Sequence, residues 1–95
     1  MSRYAMRGPD LYDAHYRRIA TVRGLALYDG NNKRVATIHG RELHDIDNRI
    51  IATVRGSDIY DFASTKIGSI SDVRESIQGA AEEIIHVAMW YCFVR

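Results

Sequence analysis

The chain has little cysteine, little proline and no excess of charge of either sign. Its 95 residues include one cysteine and one proline, and 13 basic residues nearly balance 12 acidic ones, for a net charge of +1. The single cysteine, Cys92, excludes an internal disulfide and is typical of a cytoplasmic protein. Because charges of both signs are interspersed, no basic surface for nucleic acid is predicted.

Long apolar runs are missing as well. The longest, from Val87 to Val94, is far shorter than the ~20 residues that span a bilayer, and the polar, charged start does not resemble a secretory signal. These observations predict a cytoplasmic protein that does not bind membranes. A chain of this length predicts a single small domain, residues 1–95, with a marginal core that partner subunits would stabilise.

What the chain does contain is a sixteen-residue pattern that occurs four times. Each block has an apolar residue, an aromatic ring and an aspartate, then a polar loop, then a basic residue and an apolar run, which ends at a glycine in the first three blocks. A period this short indicates one supersecondary unit stacked on copies of itself. The blocks are residues 9–24, 25–40, 41–56 and 57–72, and residues 3–8 fit the second half of a block.

Each block predicts a β-hairpin. The apolar runs are rich in Ile, Val, Thr, Leu and Tyr, which favour strands, and a glycine between blocks suits a two-residue turn that needs positive φ. An antiparallel β-meander of about nine short strands is therefore predicted over residues 3–72. The strands are expected near 2–6, 10–13, 18–22, 26–29, 34–38, 42–45, 50–54, 58–61 and 66–70.

Charge patterning predicts the register of these hairpins. Residues that flank a two-residue turn face each other across the ladder, and here they are mostly of opposite charge. The predicted pairs at the glycine turns are Arg7 with Asp10, His39 with Glu42 and Arg55 with Asp58. At the longer loops the same reasoning pairs Asp13 with Arg18, Asp29 with Arg34 and Asp61 with Lys66.

The alternation of side chains defines two faces. One is an apolar core face that carries Leu11, Leu27, Leu43 and Ile59, with small residues such as Ala36 beside them. The other face carries an aromatic row next to Thr and Ile residues. We expect this row to form a ligand-binding or partner-binding face, and it consists of Tyr12, Tyr28, His44 and Tyr60.

The segment after the last block predicts a helix that covers the core face. Its apolar residues recur at alternating steps of four and three, as on one side of a helix, and Asp72 with Glu75 resembles a capping box. The predicted fold class is thus α+β, a sheet packed by one C-terminal α-helix over 73–94. An alternative ends the helix near Gly79 or Glu83 and makes Ile84–Val94 a final strand, because that segment is rich in strand formers.

Several apolar side chains of this segment lie outside the stripe that would face the sheet. They are Ile85, Met89, Trp90 and Phe93. A helix that is apolar nearly all round needs cover on several sides, so these residues are predicted to form the interface of a homo-oligomer, a dimer or larger. The alternative is a sheet that twists and curls enough to enclose both apolar surfaces itself.

Residues that carry chemistry are scarce. The sequence contains no phosphate-binding loop, nucleophile elbow or Cys/His arrangement, so no catalytic residue and no cofactor is predicted. His39 and His44 straddle a turn, but His39 has Glu42 as a predicted partner and His44 replaces a repeated tyrosine. Neither has metal-ligand spacing, and the sequence predicts neither an enzyme nor a metal site.

The motif Leu27-Tyr28-Asp29-Gly30, followed by Arg34-Val35-Ala36-Thr37-Ile38, resembles that of uncharacterised bacterial proteins built from tandem 16-residue β-hairpin repeats. The resemblance covers residues 3–72 and implies no particular activity. The short chain also looks like the small proteins carried on mobile, integron-type gene cassettes.

Two functions follow from these expectations. The first is a non-enzymatic interaction module that self-associates and binds a protein partner. The alternative is a small-ligand-binding protein with a pocket between subunits, lined by tyrosines together with Met89, Trp90 and Phe93. A cavity with convergent polar groups would favour the ligand, and a flat, dry interface would favour the module.

Overall fold

The computed structural model describes residues 3–80 and 83–95, and within them the chain forms ten strands and two short helices. Residue 2 of the first predicted strand and residues 81 and 82 of the predicted helix lie outside the described residues. The strands are β1 (Tyr4–Arg7), β2 (Asp10–Tyr12), β3 (Arg18–Arg23), β4 (Ala26–Asp29), β5 (Arg34–His39), β6 (Glu42–His44), β7 (Ile50–Arg55), β8 (Asp58–Asp61), β9 (Lys66–Ser69) and β10 (Ile77–Gln78). Helices α1 (Ile70–Ser76) and α2 (Ile84–Met89) follow β9 and β10, and a π-helical segment, Trp90–Val94, continues α2.

The strands of the described chain form one mixed sheet in the order β10-β1-β2-β3-β4-β5-β6-β7-β8-β9. Each strand from β1 to β8 runs antiparallel to the next one in the chain, whereas β10 pairs with the other side of β1 and runs parallel to it. The protein is therefore a sheet-rich α+β structure. The sequence does not predict β10, because two residues are too few for a periodic signal.

Tight turns join alternate strands. The four equivalent residues Gly8, Gly24, Gly40 and Gly56 have φ of +59 to +61°. A positive φ at the first turn residue suits the type II′ hairpin turn, which matches the twist of the flanking strands. The glycine positions predicted from sequence are confirmed.

The longer loops at the opposite edge share another geometry. In the first, the Asp13 amide donates to the Arg17 carbonyl (3.0 Å), and Asp13 Oδ1 accepts from the amides of His15 (2.8 Å) and Arg17 (3.1 Å). The residue before Arg17 takes a left-handed conformation in each loop, with φ of +60 to +65° at Tyr16, Asn32, Asn48 and Ser64. The same aspartate bonds recur at Asp29, Asp45 and Asp61.

The register predicted at the longer loops, with each aspartate opposite a basic residue, is wrong. Arg18 faces Tyr12 instead of Asp13, and the ladder shifts between Leu11 and Tyr12. The reason is a β-bulge, in which two residues of one strand oppose one residue of the other, so that the aspartate stays inside the loop and caps it. The same shift occurs in the other three hairpins.

The C-terminal segment contains two short helices instead of the predicted single helix over 73–94. Helix α1 starts about one turn earlier than predicted. Ser69 is the N-cap residue, and its amide donates to Asp72 Oδ2 (2.9 Å), whereas the sequence predicted Asp72 itself at the N-cap. The alternative of a final strand is also wrong, because Ile84–Val94 is helical.

The predicted helix is interrupted where the chain pairs with β1. Ile77 is extended (φ −124°) and lies opposite Tyr4, while Gly79 has φ of +84°. A β-carbon at residue 79 would lie 3.0 Å from the Met6 carbonyl oxygen. Positive φ and a close backbone neighbour together favour glycine there and end helical geometry.

The sheet curls around α2. Helix α1 has seven residues and is about 10 Å long, yet it links β9 at one edge to β10 at the other. Ten flat strands would span about 43 Å, whereas the longest dimension of the molecule is 34 Å. The two edges therefore lie within one short helix of each other, which supports the alternative of a self-enclosing sheet.

The core lies on the concave side of this sheet. The predicted core-face residues Leu11, Leu27, Leu43 and Ile59 are at most 1% exposed. Consecutive residues of the C-terminal helix are buried as well, namely His86, Val87, Ala88, Met89 and Trp90. A helix buried on successive residues is enclosed on several sides, as a helix inside a curled sheet must be.

Candidate functional site

An arginine lies over the tyrosine ring in three of the four glycine-turn hairpins. Strands β2, β4 and β8 position the half-buried rings on the outer face, and the strand before each turn supplies the guanidinium. The distances from guanidinium carbon to ring centroid are 5.8 Å for Arg7–Tyr12, 5.0 Å for Arg23–Tyr28 and 5.3 Å for Arg55–Tyr60. We call these the Arg–Tyr pairs.

The Arg–Tyr pairs limit how the predicted aromatic row could contact a ligand or partner. The predicted register at these turns is confirmed, with Arg7 opposite Asp10 and Arg55 opposite Asp58. The guanidiniums nevertheless lie over the diagonal tyrosines, and Asp58 pairs with Lys66 (3.2 Å). Each pair is worth about 0.5–1 kcal/mol at an exposed position. One face of each ring is therefore already occupied by a cation.

The third hairpin replaces both members of the pair by histidine. His39 and His44 bring their ring centroids to 4.1 Å, tilted by 42°. Both nitrogens of the half-buried His44 have partners, with Nε2 3.2 Å from Glu42 Oε1 and Nδ1 3.2 Å from Asn48 Oδ1. His39 Nε2 lies 3.2 Å from Thr37 Oγ1. Sequence reasoning missed this cluster because it considered directly opposite residues and not diagonal ones.

A shallow groove of about 510 Å³ lies beside β1 and β10. Its polar and aromatic lining combines Arg3 and Arg7 with Tyr4, Tyr12 and Tyr16. Asp13 also lines it, and the Arg17 amide that donates to its carboxylate lowers the pKa of Asp13. Tyr12 is thus the one member of the predicted row that borders this groove.

A smaller cavity of about 120 Å³ lies where α2 begins, next to the glycine turns. Arg41 lines it and donates to the carbonyl oxygens of Val54 (3.1 Å) and Gly56 (3.3 Å). Glu83 and Val87 line it as well. Backbone carbonyls of a neighbouring strand and turn therefore hold the Arg41 guanidinium at this cavity.

The four predicted interface residues divide into two groups. Met89 (0% exposed) and Trp90 (6%) are buried in the core of the single chain, so the expectation that they offer an interface surface is corrected. They are covered by the curled sheet and by α1. The sequence predicted most of α1 as part of the same continuous helix as Met89 and Trp90, where it could not pack against them. Ile85 and Phe93 are half-buried, and their contact with another subunit stays a prediction.

Large exposed apolar side chains lie instead at the loops. Phe62 is 77% exposed, Ile46 54% and Ile50 43%. Ile46 and Phe62 occupy the same loop position as Ala14 and Gly30, where the pattern otherwise has a small residue. That departure was the sequence signal for an exposed apolar patch, and we call Ile46, Ile50 and Phe62 the loop patch.

Reactive chemistry has few candidates. Burial raises the pKa of the Cys92 thiol to about 11, which makes it a weak nucleophile near neutral pH. Among residues 3–80 and 83–95 no group of three or more His, Cys, Asp or Glu side chains is arranged to hold a metal ion. The helices in the described part of the chain are too short or too polar to cross a membrane.

Comparison with known proteins gives no relative to argue from. The chain matches no protein-family model, no curated protein and no solved structure.

Proposed function

We propose that this chain is a non-enzymatic, self-associating interaction module, built as a meander of four tandem hairpins and a preceding half-unit. The observation that carries the proposal is the loop patch. Ile46 and Phe62 lie in consecutive long loops at the same edge of the sheet, and Ile50 begins strand β7 directly after the first of these loops. Large exposed apolar side chains grouped on a small protein usually mark a contact surface.

The geometry of the patch favours contact with a second copy. Strand β7 pairs with β8 so that Ala52 faces Asp61, which puts Ile50 beside the loop that contains Phe62. A net charge of +1 presents almost no repulsion between identical chains. A two-fold contact that lays one loop patch against another would bury all three side chains of both copies.

The test is the mass of the protein in solution, measured by light scattering after size exclusion. We expect a dimer or larger assembly for the wild type and a shift toward monomer for the double variant Ile46→Ala, Phe62→Ala. Alanine already occupies this loop position in the first block, as Ala14, so the variant should fold.

Tyr16→Asn is the matched control. Tyr16 is 81% exposed in the first long loop, away from the loop patch, and Asn occupies the same position in two other loops. This variant should keep the wild-type mass. A monomeric wild type at high micromolar concentration, or an unchanged mass in the double variant, would contradict the proposal.

A second candidate function is small-ligand binding in the groove beside β1. The specific observation is the convergence of two arginines and three tyrosines on one groove, a lining suited to a planar anion that stacks and accepts hydrogen bonds. A thermal-shift screen of aromatic carboxylates tests it. Tyr16→Asn should abolish a ligand-induced shift, whereas the double variant in the loop patch should not.

A further inference from the structure

The His39–His44 hairpin departs from the other three at two positions at once. Its histidines occupy the positions held elsewhere by the arginine and the tyrosine of an Arg–Tyr pair. A single replacement would disturb the cation–aromatic contact, whereas the double replacement exchanges it for two adjacent imidazoles. Two imidazoles on one rigid hairpin supply ligands that suit zinc, copper and nickel.

The contacts of His44 position one nitrogen for a metal. When Nδ1–H donates to Asn48 Oδ1 (3.2 Å), Nε2 carries the lone pair, which is the usual arrangement of a metal-binding imidazole and its supporting acceptor. Nε2 lies 3.2 Å from Glu42 Oε1. Ligands at ~2.0–2.2 Å from one metal ion are about 3.0–3.4 Å apart, so this nitrogen and this oxygen have the separation of two ligands of one ion.

His39 would supply the third ligand. It lies directly opposite Glu42 in the ladder, and its exposed ring would leave the Thr37 hydroxyl, which lies 3.2 Å from Nε2, and turn toward the His44–Glu42 pair. Such a turn is needed, because no three such side chains in the described ranges already surround a common point. The exposed face leaves the remaining coordination positions to water.

We propose that His39, His44 and Glu42 bind one divalent late transition metal ion, Zn²⁺, Ni²⁺ or Cu²⁺, at the outer face of the third hairpin. Two imidazoles and one carboxylate with open water positions form an exchangeable site. The affinity order follows the general preference of nitrogen ligands, with Cu²⁺ the tightest. The site lies next to the loop patch, since His44 faces Ile50 in the ladder and its Nδ1 contacts Asn48 in the loop that contains Ile46, but all three ligands come from one chain.

Titration calorimetry with Ni²⁺, Zn²⁺ and Cu²⁺ tests the site on the full chain. The wild type should bind one ion per chain. The double variant His39→Arg, His44→Tyr restores the Arg–Tyr pair of the other hairpins, so it should fold, and it should lose measurable binding because only one of the three ligands is left. Glu42→Gln should weaken binding, because a neutral amide is a poorer ligand than a carboxylate, and His15→Asn, which removes an exposed loop histidine, should bind as the wild type does.

A spectroscopic measurement on the wild type keeps the proposal falsifiable if a variant fails to fold. Addition of Zn²⁺ should shift the ring-proton resonances of His39 and His44 together and leave those of His15 unchanged. Undiminished binding by the double variant, loss of binding in His15→Asn, or no shift of the two paired rings would overturn the proposal.

Discussion

At the residue scale, the departures from the sixteen-residue pattern are the informative positions. Gly68 occupies the place of Ala20, Ala36 and Ala52, and Tyr16 occupies a left-handed loop position that Asn and Ser fill elsewhere. Both departures could be read from the sequence, but their meaning could not. A pattern shows that a residue is different without showing which neighbour requires or tolerates the difference.

Replacing Gly68 by Ala should destabilise the protein although it restores the residue of the other blocks. A β-carbon there would lie 2.6 Å from Trp90 Cη2 and 3.1 Å from Trp90 Cζ2, and overpacking of this kind costs about 1–3 kcal/mol. Chemical denaturation measures the change in the free energy of unfolding. In the background Trp90→Phe, which removes those two carbons, the same substitution should cost much less, and an equal cost in both backgrounds would show that the contact is not the cause.

Tyr16→Asn should stabilise the protein by about 1 kcal/mol. Tyr16 has φ of +60°, a conformation that costs non-glycine residues and that Asn adopts most readily. Its ring is largely exposed, so little packing is lost. Thermal unfolding compares the variant with wild type and with Tyr16→Val, which should be less stable because a β-branched residue resists positive φ. A decrease in stability for Tyr16→Asn would refute this explanation.

At the element scale, strands were predictable and the helical region was not. Alternation of side chains and turn glycines identify β1 to β9 closely, because both signals are local. The apolar residues from Val73 to Val94 follow one continuous helical spacing, so the sequence indicated one helix. In the structure they are divided among α1, β10 and α2. The interruption at Ile77 depends on pairing with Tyr4 at the other end of the chain, which no local pattern records.

Gly79→Val should detach β10 without unfolding the rest of the sheet. The variant places a β-branched side chain at φ +84° and against the Met6 carbonyl, a strain of about 1–3 kcal/mol. Hydrogen exchange should show faster exchange at residues 77 and 78, with strands β4 to β8 remaining protected. Unchanged protection at 77–78 would contradict the role assigned to this glycine.

At the scale of the whole molecule, curvature decides which surfaces are left to contact other molecules. The sequence predicted a broad sheet crossed by one long helix, with Met89 and Trp90 facing another subunit. The curled sheet encloses both side chains. Small residues of the core face leave room for the helical segment, since Ala36 is part of β5, which α2 contacts, and Gly68 of β9 lies against the Trp90 ring. Strand periodicity specifies which face a residue occupies, but not how strongly a sheet twists and curls.

The central claim is self-association through the loop patch, and amide chemical shifts followed through a dilution series test it most directly. From millimolar to micromolar concentration, we expect the resonances of residues 45–50 and 61–65 to shift, and those of residues 14–17 in the first loop to stay constant. Shifts absent throughout the series, or confined to residues 84–94, would contradict the account.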